Sequence, residues 1–267
     1  MIWERVYDLI KFQLNIMISR YFENQVYTVR YGLLKGLKRK GGLGFIPSIK
    51  MTKEERFLAN IEFKGQTVYD VGAFIGLFTM FFACAVGENG KVIAFEPNPS
   101  LCIRIKENLL LNNFHNVKVM QLALGREKKR EILAFPSTIP GVGSIEEHEK
   151  IRILKQRRAT TVEVEVDTID NLIAAKKIPK PNFIKIDVQG AELDVLIGAR
   201  NTIKTCKPKL LIEVHYIPYV NWKIKNLQRI IDFLMENGYS LYHIESGKKI
   251  NSETVHTIEA DEHLYCV

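Results

Sequence analysis

The sequence predicts an α/β fold, a mostly parallel β-sheet with helices on both faces. Three observations carry that reading. Short β-branched and apolar runs alternate with longer helical stretches along most of the chain. Turns bearing glycine or proline punctuate the alternation. The 267 residues are 46% hydrophobic, 25% charged and 10% aromatic, the balance of a globular chain with one large core. That balance excludes a disordered, collagen-like or repeat-array protein.

The first strand is Thr67-Val68-Tyr69-Asp70-Val71, which runs into the turn Gly72-Ala73-Phe74-Ile75-Gly76. A helix over Leu77 to Val86 follows and stops at Gly87. Lys91 to Phe95 is the second strand. Asn98 then offers an N-cap, with Pro99 at the first helical position, for a helix through Leu111. Val117 to Gln121 is the third strand. Residues 126–160 read as an insertion with one strand around Ile132 and a lid-like loop near 136–158. Thr161 to Val166 alternates apolar and polar, so it is a half-buried strand paired with the one near Ile132. Asp170 or Thr168 caps a helix after it. Phe183 to Asp187 and Leu210 to Val214 are core strands separated by a helix from about Ala191 to Ala199. A helix over about Lys225 to Glu236 leads to Ser240–Ile244 and His263–Val267, which resemble a hairpin.

Ahead of this unit, Trp3, Val6, Ile10, Leu14, Met17 and Tyr21 recur at helical spacing. They form a stripe that packs on the main domain or a partner, or lies in a membrane interface. Residues 27–53 read as a mobile connector or one lying over a cleft. The division is therefore a helical extension and connector over 1–54 and the main domain over 55–267. No run of about 18 uncharged apolar residues exists, which excludes a membrane-spanning helix. Acids and bases mix where a secretory leader needs apolar sequence. Cys84, Cys102, Cys206 and Cys266 are scattered, the pattern of reduced thiols. A cytoplasmic protein, with peripheral membrane contact as an option, is the expectation.

Chemistry concentrates at strand ends, because parallel strands deliver their C-terminal ends to one edge of a sheet. Glycines in a strand-to-helix turn let backbone approach a ligand, and an acid ending the next strand can accept both ribose hydroxyl protons. Glu96 lies twenty residues after Gly76, the offset a nucleoside-binding βαβ unit needs. Asp70 stands two residues before the first glycine. Its charge would repel the diphosphate of a nicotinamide cofactor and suits a ligand with ammonium and sulfonium groups, S-adenosylmethionine. In the second half, Asp187 ends one core strand, and Glu213 and His215 share a face at the end of the next. His215 is the preferred general base, because an unperturbed imidazole is neutral near pH 7. Asp187 is the alternative base, or it positions the acceptor.

Four stretches, Val68–Gly76, Val92–Pro99, Phe183–Glu192 and Leu211–His215, resemble the FkbM-type S-adenosylmethionine-dependent methyltransferases in order and content. The resemblance implies a class I (Rossmann-like) sheet of seven strands with the last antiparallel. It also implies O-methylation of a hydroxyl on a sugar, glycan or glycolipid. By that match Asp70, Gly72 and Gly76 line the methionine side of the cofactor, Glu96 holds the ribose and Asn98 lies near adenine, with Ala73 and Pro97 also among the cofactor-binding residues. Two positions depart from the family. Phe74 replaces the usual Asn, and Gln189 replaces a Glu, which weakens a Mg²⁺ or Mn²⁺ site built from Asp187, Glu192, Glu213 and His215; no metal is expected.

The remaining signal is charge. Thirty-eight Lys+Arg against thirty Asp+Glu give a net charge of +8. The basic clusters Lys38–Lys40, Arg126–Arg130 and Arg152–Arg158 interleave with glutamates, the pattern of solvated faces, and lack aromatics for base stacking. The expected partner is a small-molecule or glycan substrate, possibly lipid-linked, without specific nucleic acid, and the oligomeric state stays open. Two rivals stand beside the enzyme. One is a non-catalytic protein of the same fold that binds RNA or membrane through its basic faces, and the other is a nicotinamide-dependent oxidoreductase. Ser144 is either a lid residue touching a ligand or a turn residue. His115, His148, His243, His256 and His263 show no ligand spacing.

Overall fold

A computed structural model of the chain describes residues 22–41, 51–137, 143–156, 158–215, 220–250, 258 and 262–267, with backbone alone for 220–225. The predicted helix over residues 1–24 falls almost wholly outside these residues, as does His256.

The nucleus is a βαβ series. Strand β3 (Thr67–Val71) feeds α2 (Leu77–Val86), which ends at Gly87. Strand β4 (Lys91–Phe95) feeds α3 (Pro99–Leu111), where the Asn98 side chain caps the Ser100 N–H. Strand β5 (Val117–Met120) completes this half. The second half contains β9 (Phe183–Ile186) and β10 (Lys209–Val214). The predicted helix between them is α6 (Glu192–Gly198), and a second short helix that was not predicted, α7 (Arg200–Cys206), follows after Ala199. Helix α8 (Val220–Glu236) and strands β11 (Leu241–His243), β12 (Lys248–Ile250) and β13 (Glu262–Cys266) close the chain.

These strands form one sheet in the order β12-β11-β13-β10-β9-β3-β4-β5. Strands β3, β4, β5, β9 and β10 pair in parallel, and β13 runs antiparallel between β10 and β11. Seven of the strands give the expected class I arrangement, and β12 is an eighth edge strand. The expected terminal hairpin is different in detail. The hairpin joins β11 to β12, and β13 inserts beside β11 from further along the chain.

Strand periodicity explains why helices cover both faces. Tyr69, Val71, Ile184, Ile186, Leu210 and Ile212 point to one core, where they meet Leu172, Leu196, Ile203 and Ile230. Val68, Val92, Phe183 and Leu211 point to the other, against Phe82, Ala83 and Val86 of α2. Leu58, from α1 (Lys53–Ala59), joins this second core. A capping box of Thr52 and Glu55 starts α1.

The insertion is its own small sheet, β6-β8-β7, from β6 (Ala123–Leu124), β7 (Lys129–Pro136) and β8 (Ala159–Asp167). Strands β7 and β8 pair as predicted, in the antiparallel sense, and α4 (Glu147–Leu154) lies between them in sequence. Thr168 caps α5 (Ile169–Ala174), whereas Asp170 accepts from the Asn201 and Thr202 N–H groups at the start of α7. The two predicted capping alternatives therefore serve two helices.

The stretch expected to be a mobile connector contains a hairpin, β1 (Val26–Thr28) with β2 (Lys38–Lys40), held against α3. Asn108 and Asn112 accept from the Lys40 and Lys38 N–H groups, and Lys40 pairs with Glu107 at 2.6 Å. Arg39, expected in a solvated basic run, is buried beside the Tyr27 hydroxyl. Alternation on a three-residue strand turns it inward, a signal too short to read in the sequence.

Candidate functional site

A cleft of about 340 Å³ opens at the C-terminal ends of β3, β4, β9 and β10. Its volume lies at the small end of the range for ligand pockets. Gly72, Glu96, Pro97, Asp187 and Glu213 line it, as do Phe74, Gln189 and the apolar Phe95, Leu101 and Leu122. Leu133, Gly143 and Ile145 supply the insertion's wall, so the predicted lid borders the cleft. Its residues 138–142 and 157 lie outside those described.

The turn after β3 is built to bring backbone close. Gly72 adopts φ 85°, and a Cβ there would stand 1.8 Å from the Asp187 carbonyl oxygen. No other residue type fits that junction of β3 and β9. Phe74 also takes a positive φ, 53°, and its N–H donates to Glu96 Oε2 at 2.9 Å. Asn tolerates that backbone region better than Phe, which gives a conformational reason for the residue the family resemblance expects there. The second Glu96 oxygen accepts from the Asn98 N–H, also at 2.9 Å. Burial nevertheless pushes the Glu96 carboxyl up to about 7, against those two hydrogen bonds. Asn98 Oδ1 is used in capping, and its Nδ2 is buried with no hydrogen-bond partner.

Asp70 is placed behind this wall and not on it. It is buried, accepts from the Thr79 hydroxyl at 2.5 Å, and is raised by burial to about 6. The β3–β9 register sets it opposite Lys185. Ala73 and Gly76 are likewise outside the cleft lining, Gly76 serving as the left-handed N-cap of α2.

At the other end, an ionic cluster joins β9, β10, α1, α6 and β13. Lys185, almost fully buried, lies 3.1 Å from Asp187 Oδ2 and 3.5 Å from Glu54 Oε1. Its ammonium also sits over the Phe78 ring. Burial would raise the Asp187 carboxyl, but Lys185 and His215 outweigh it and hold the group well below the usual range. Glu213 is raised, with burial the leading cause. His215 Nδ1 lies 2.9 Å from Glu192 Oε1, and Nε2 lies 3.4 Å from Asp187 and 3.5 Å from Glu213. Burial disfavours its charge, yet Glu192, Asp187 and Glu213 reverse that and carry it up to about 9. The premise of a neutral imidazole near pH 7 therefore fails in the ligand-free chain. The Gln189 amide stands 2.6 Å from the same Nε2, and an imidazolium there requires its oxygen on that side.

Sequence reasoning missed Lys185, Glu54 and His263. A lysine inside the apolar run Phe183-Ile-Lys-Ile, two residues before Asp187, was a legible signal for the first. His263 pairs with Glu213 across the β10–β13 register, which spacing along the chain cannot show. Ser144 faces protein: it donates to the Gln189 carbonyl at 2.9 Å and accepts from the Glu146 N–H, latching the insertion to the cleft floor. Several members of the basic runs are ion-paired, Arg126 with Asp194, Arg130 with Glu163 and Arg152 with Glu149. Among the described residues no helix is long and apolar enough to cross a membrane.

Residues 70–241 match the methyltransferase FkbM domain. Methyltransferase 1 of Beauveria bassiana is 31% identical over 143 residues, 49% of this chain and 57% of that protein. Hexuronic acid methyltransferase AglP of Haloferax volcanii is 30% identical over 151 residues, 55% of each. The chain thus spans little more than half the length of these relatives. The crystal structure of methyltransferase FkbM from Methylobacillus flagellatus KT shares the fold, with a TM-score of 0.51 at 20% identity, over 78% of this chain and 45% of that one. With the matched domain extending from Asp70 of β3 to Leu241 of β11, this chain belongs to the FkbM methyltransferase family.

Proposed function

We propose that this chain is an S-adenosylmethionine-dependent O-methyltransferase acting on a hydroxyl of a sugar or a sugar-like acceptor. The observation that carries the reading is the division of one cleft into two acidic ends, Glu96 at one and Asp187 with Glu213 at the other.

The cleft suits the methyl donor on chemical grounds. Glu96 is fixed by two backbone N–H groups and keeps lone pairs for ribose hydroxyls. Asn98, buried directly after the lining residue Pro97, keeps an Nδ2 without a hydrogen-bond partner, a donor that would serve an adenine ring nitrogen. Apolar walls from Leu101 and Leu122 suit a base, and the acidic lining favours a cation over a diphosphate. Gly72 and Pro97 would flank the bound nucleoside. When bound, the cofactor supplies an electrophilic methyl on a sulfonium.

This chain's residues would do the rest. Asp187 and Glu213 orient the acceptor hydroxyl, and alignment of this kind is worth about 7–11 kcal/mol of the barrier. Glu213 suits the proton better than Asp187, because burial raises its proton affinity whereas Lys185 suppresses that of Asp187. His215, held cationic, compensates the carboxylates around it. The relative that methylates hexuronic acid supports a sugar acceptor.

Isotope-labelled methyl donor incubated with a panel of uronic acids, neutral sugars and lipid-linked glycans tests the proposal. Incorporation into a hydroxyl, lowered at least about tenfold in Glu213→Gln, is expected. Absence of transfer to every hydroxyl acceptor from a chain that binds the donor would remove it.

A further inference from the structure

Asp187 and His215 each have one polar atom held by a partner outside the trio, and Glu213 has one within ion-pair range of a third partner. Lys185 holds Asp187 Oδ2 at 3.1 Å. Glu192 holds His215 Nδ1 at 2.9 Å, and His263 Nε2 stands 3.7 Å from Glu213 Oε2. The three remaining atoms, Asp187 Oδ1, Glu213 Oε1 and His215 Nε2, turn toward one another, with the imidazole nitrogen 3.4 and 3.5 Å from the two oxygens. All three residues bring a ligand atom within 4.8 Å of the others.

This is the arrangement of a carboxylate–histidine–metal unit. With Nδ1–H donated to Glu192, a neutral ring keeps its lone pair on Nε2, which has the Gln189 amide at 2.6 Å and the two carboxylate oxygens at 3.4 and 3.5 Å. Such a geometry needs a cation at its centre, either a proton on Nε2 or a metal ion. Octahedral coordination at about 2.1 Å sets neighbouring ligand atoms about 3.0 Å apart and opposite ones about 4.2 Å apart, so the observed separations need only a slight contraction.

We propose that Asp187, Glu213 and His215 bind one divalent cation of the Mg²⁺ or Mn²⁺ class, with the Gln189 amide oxygen within reach as a further ligand. Two carboxylates and one imidazole suit Mn²⁺ best among the common hard ions. Asp187, Gln189 and Glu213 line the cleft, so open coordination positions face the acceptor end. They would take an acceptor that offers two oxygens, such as a vicinal diol or a hydroxy acid. The ion would also offset the negative lining that otherwise repels an anionic sugar. The acceptor class rests on the proposed methyl transfer, whereas ion binding does not.

The test is titration of metal-free chain with Mn²⁺, following loss of the free-ion electron paramagnetic resonance signal without methyl donor. One ion per chain is expected. Glu213→Gln and His215→Gln should each weaken it at least about tenfold, and Glu192→Gln should weaken it about tenfold through the ring orientation. Unfolding curves and S-adenosylhomocysteine binding identify variants that fold, and either ligand variant suffices. His243→Gln should leave binding intact, since His243, Glu245 and Glu262 form a second such group elsewhere. No signal loss up to about 1 mM Mn²⁺, a concentration that would fill even weak sites, overturns the proposal. Binding that survives in both Glu213→Gln and His215→Gln overturns it as well. A chain that binds Mn²⁺ through these residues yet transfers no methyl upholds the site and refutes only the reaction. Methyl transfer unchanged by chelation, with no Mn²⁺ bound, does the reverse.

Discussion

Glu96 illustrates how burial and hydrogen bonding compete on one carboxyl. Its folded-state proton affinity is raised to about 7, above the ordinary 4.5. The folded ligand-free chain therefore holds that proton more tightly than the unfolded one, and the associated stability is lost as pH rises from about 4.5 to 7. Ligand binding has the opposite sign, since ribose hydroxyls donate to the ionised form. Affinity for S-adenosylhomocysteine should weaken by up to about tenfold for each pH unit below 7 and level off above it. Calorimetric titrations from pH 5.5 to 8.5 check this (a flat profile would remove Glu96 from the contact). His263 shows the same linkage in a base. Burial opposes its charge, but Glu213, Glu54 and Glu245 raise it to about 10. That contribution is fully present below the unfolded value of 6.5 and is lost as pH rises toward 10. Thermal unfolding of chelator-treated chain should show a falling midpoint over this window, and His263→Gln should flatten the slope.

Among the elements, the turn from β3 into α2 was the most legible in sequence. Gly72, Gly76 and the strand before them were readable from local chemistry alone, because positive φ and a missing Cβ leave a residue-type signature. The structure adds why Gly72 matters: its neighbour is the Asp187 carbonyl of β9, a contact between residues more than a hundred positions apart. Gly72→Ala should lower unfolding free energy by at least about 3 kcal/mol in urea, a value reserved for backbone collisions in a core. A loss under about 1 kcal/mol would show that the strands can separate there. The β1–β2 hairpin was not legible. Three-residue strands carry too little sequence to show a period, and two N–H groups of β2 bond to Asn108 of α3 and to its C-cap Asn112, far along the chain.

At the scale of the whole molecule, the mostly parallel sheet followed from the alternation of elements, and its antiparallel last strand from the family resemblance. Core residues sorted by strand parity onto the two faces as periodicity requires. Side-chain convergence at the rim did not follow. Asp187, Glu213 and His215 were recognisable as strand-end groups, but their second partners, Lys185, Glu192 and His263, are fixed by register between strands and by the start of α6. Those partners change the chemistry, since they make His215 a cation where an isolated imidazole would be neutral. A basic surface reader is the less economical account, because Arg126, Arg130 and Arg152 of the basic runs are each paired with a neighbouring carboxylate.

The central claim is that the cleft at the ends of β3, β4, β9 and β10 binds an adenosyl cofactor. Isothermal titration of S-adenosylhomocysteine into folded chain at pH 8 tests it most directly. One site per chain is predicted, with Glu96→Gln costing about 1.5–3 kcal/mol, the worth of hydrogen bonds to a charged group. Absence of any heat from chain that unfolds cooperatively would contradict it.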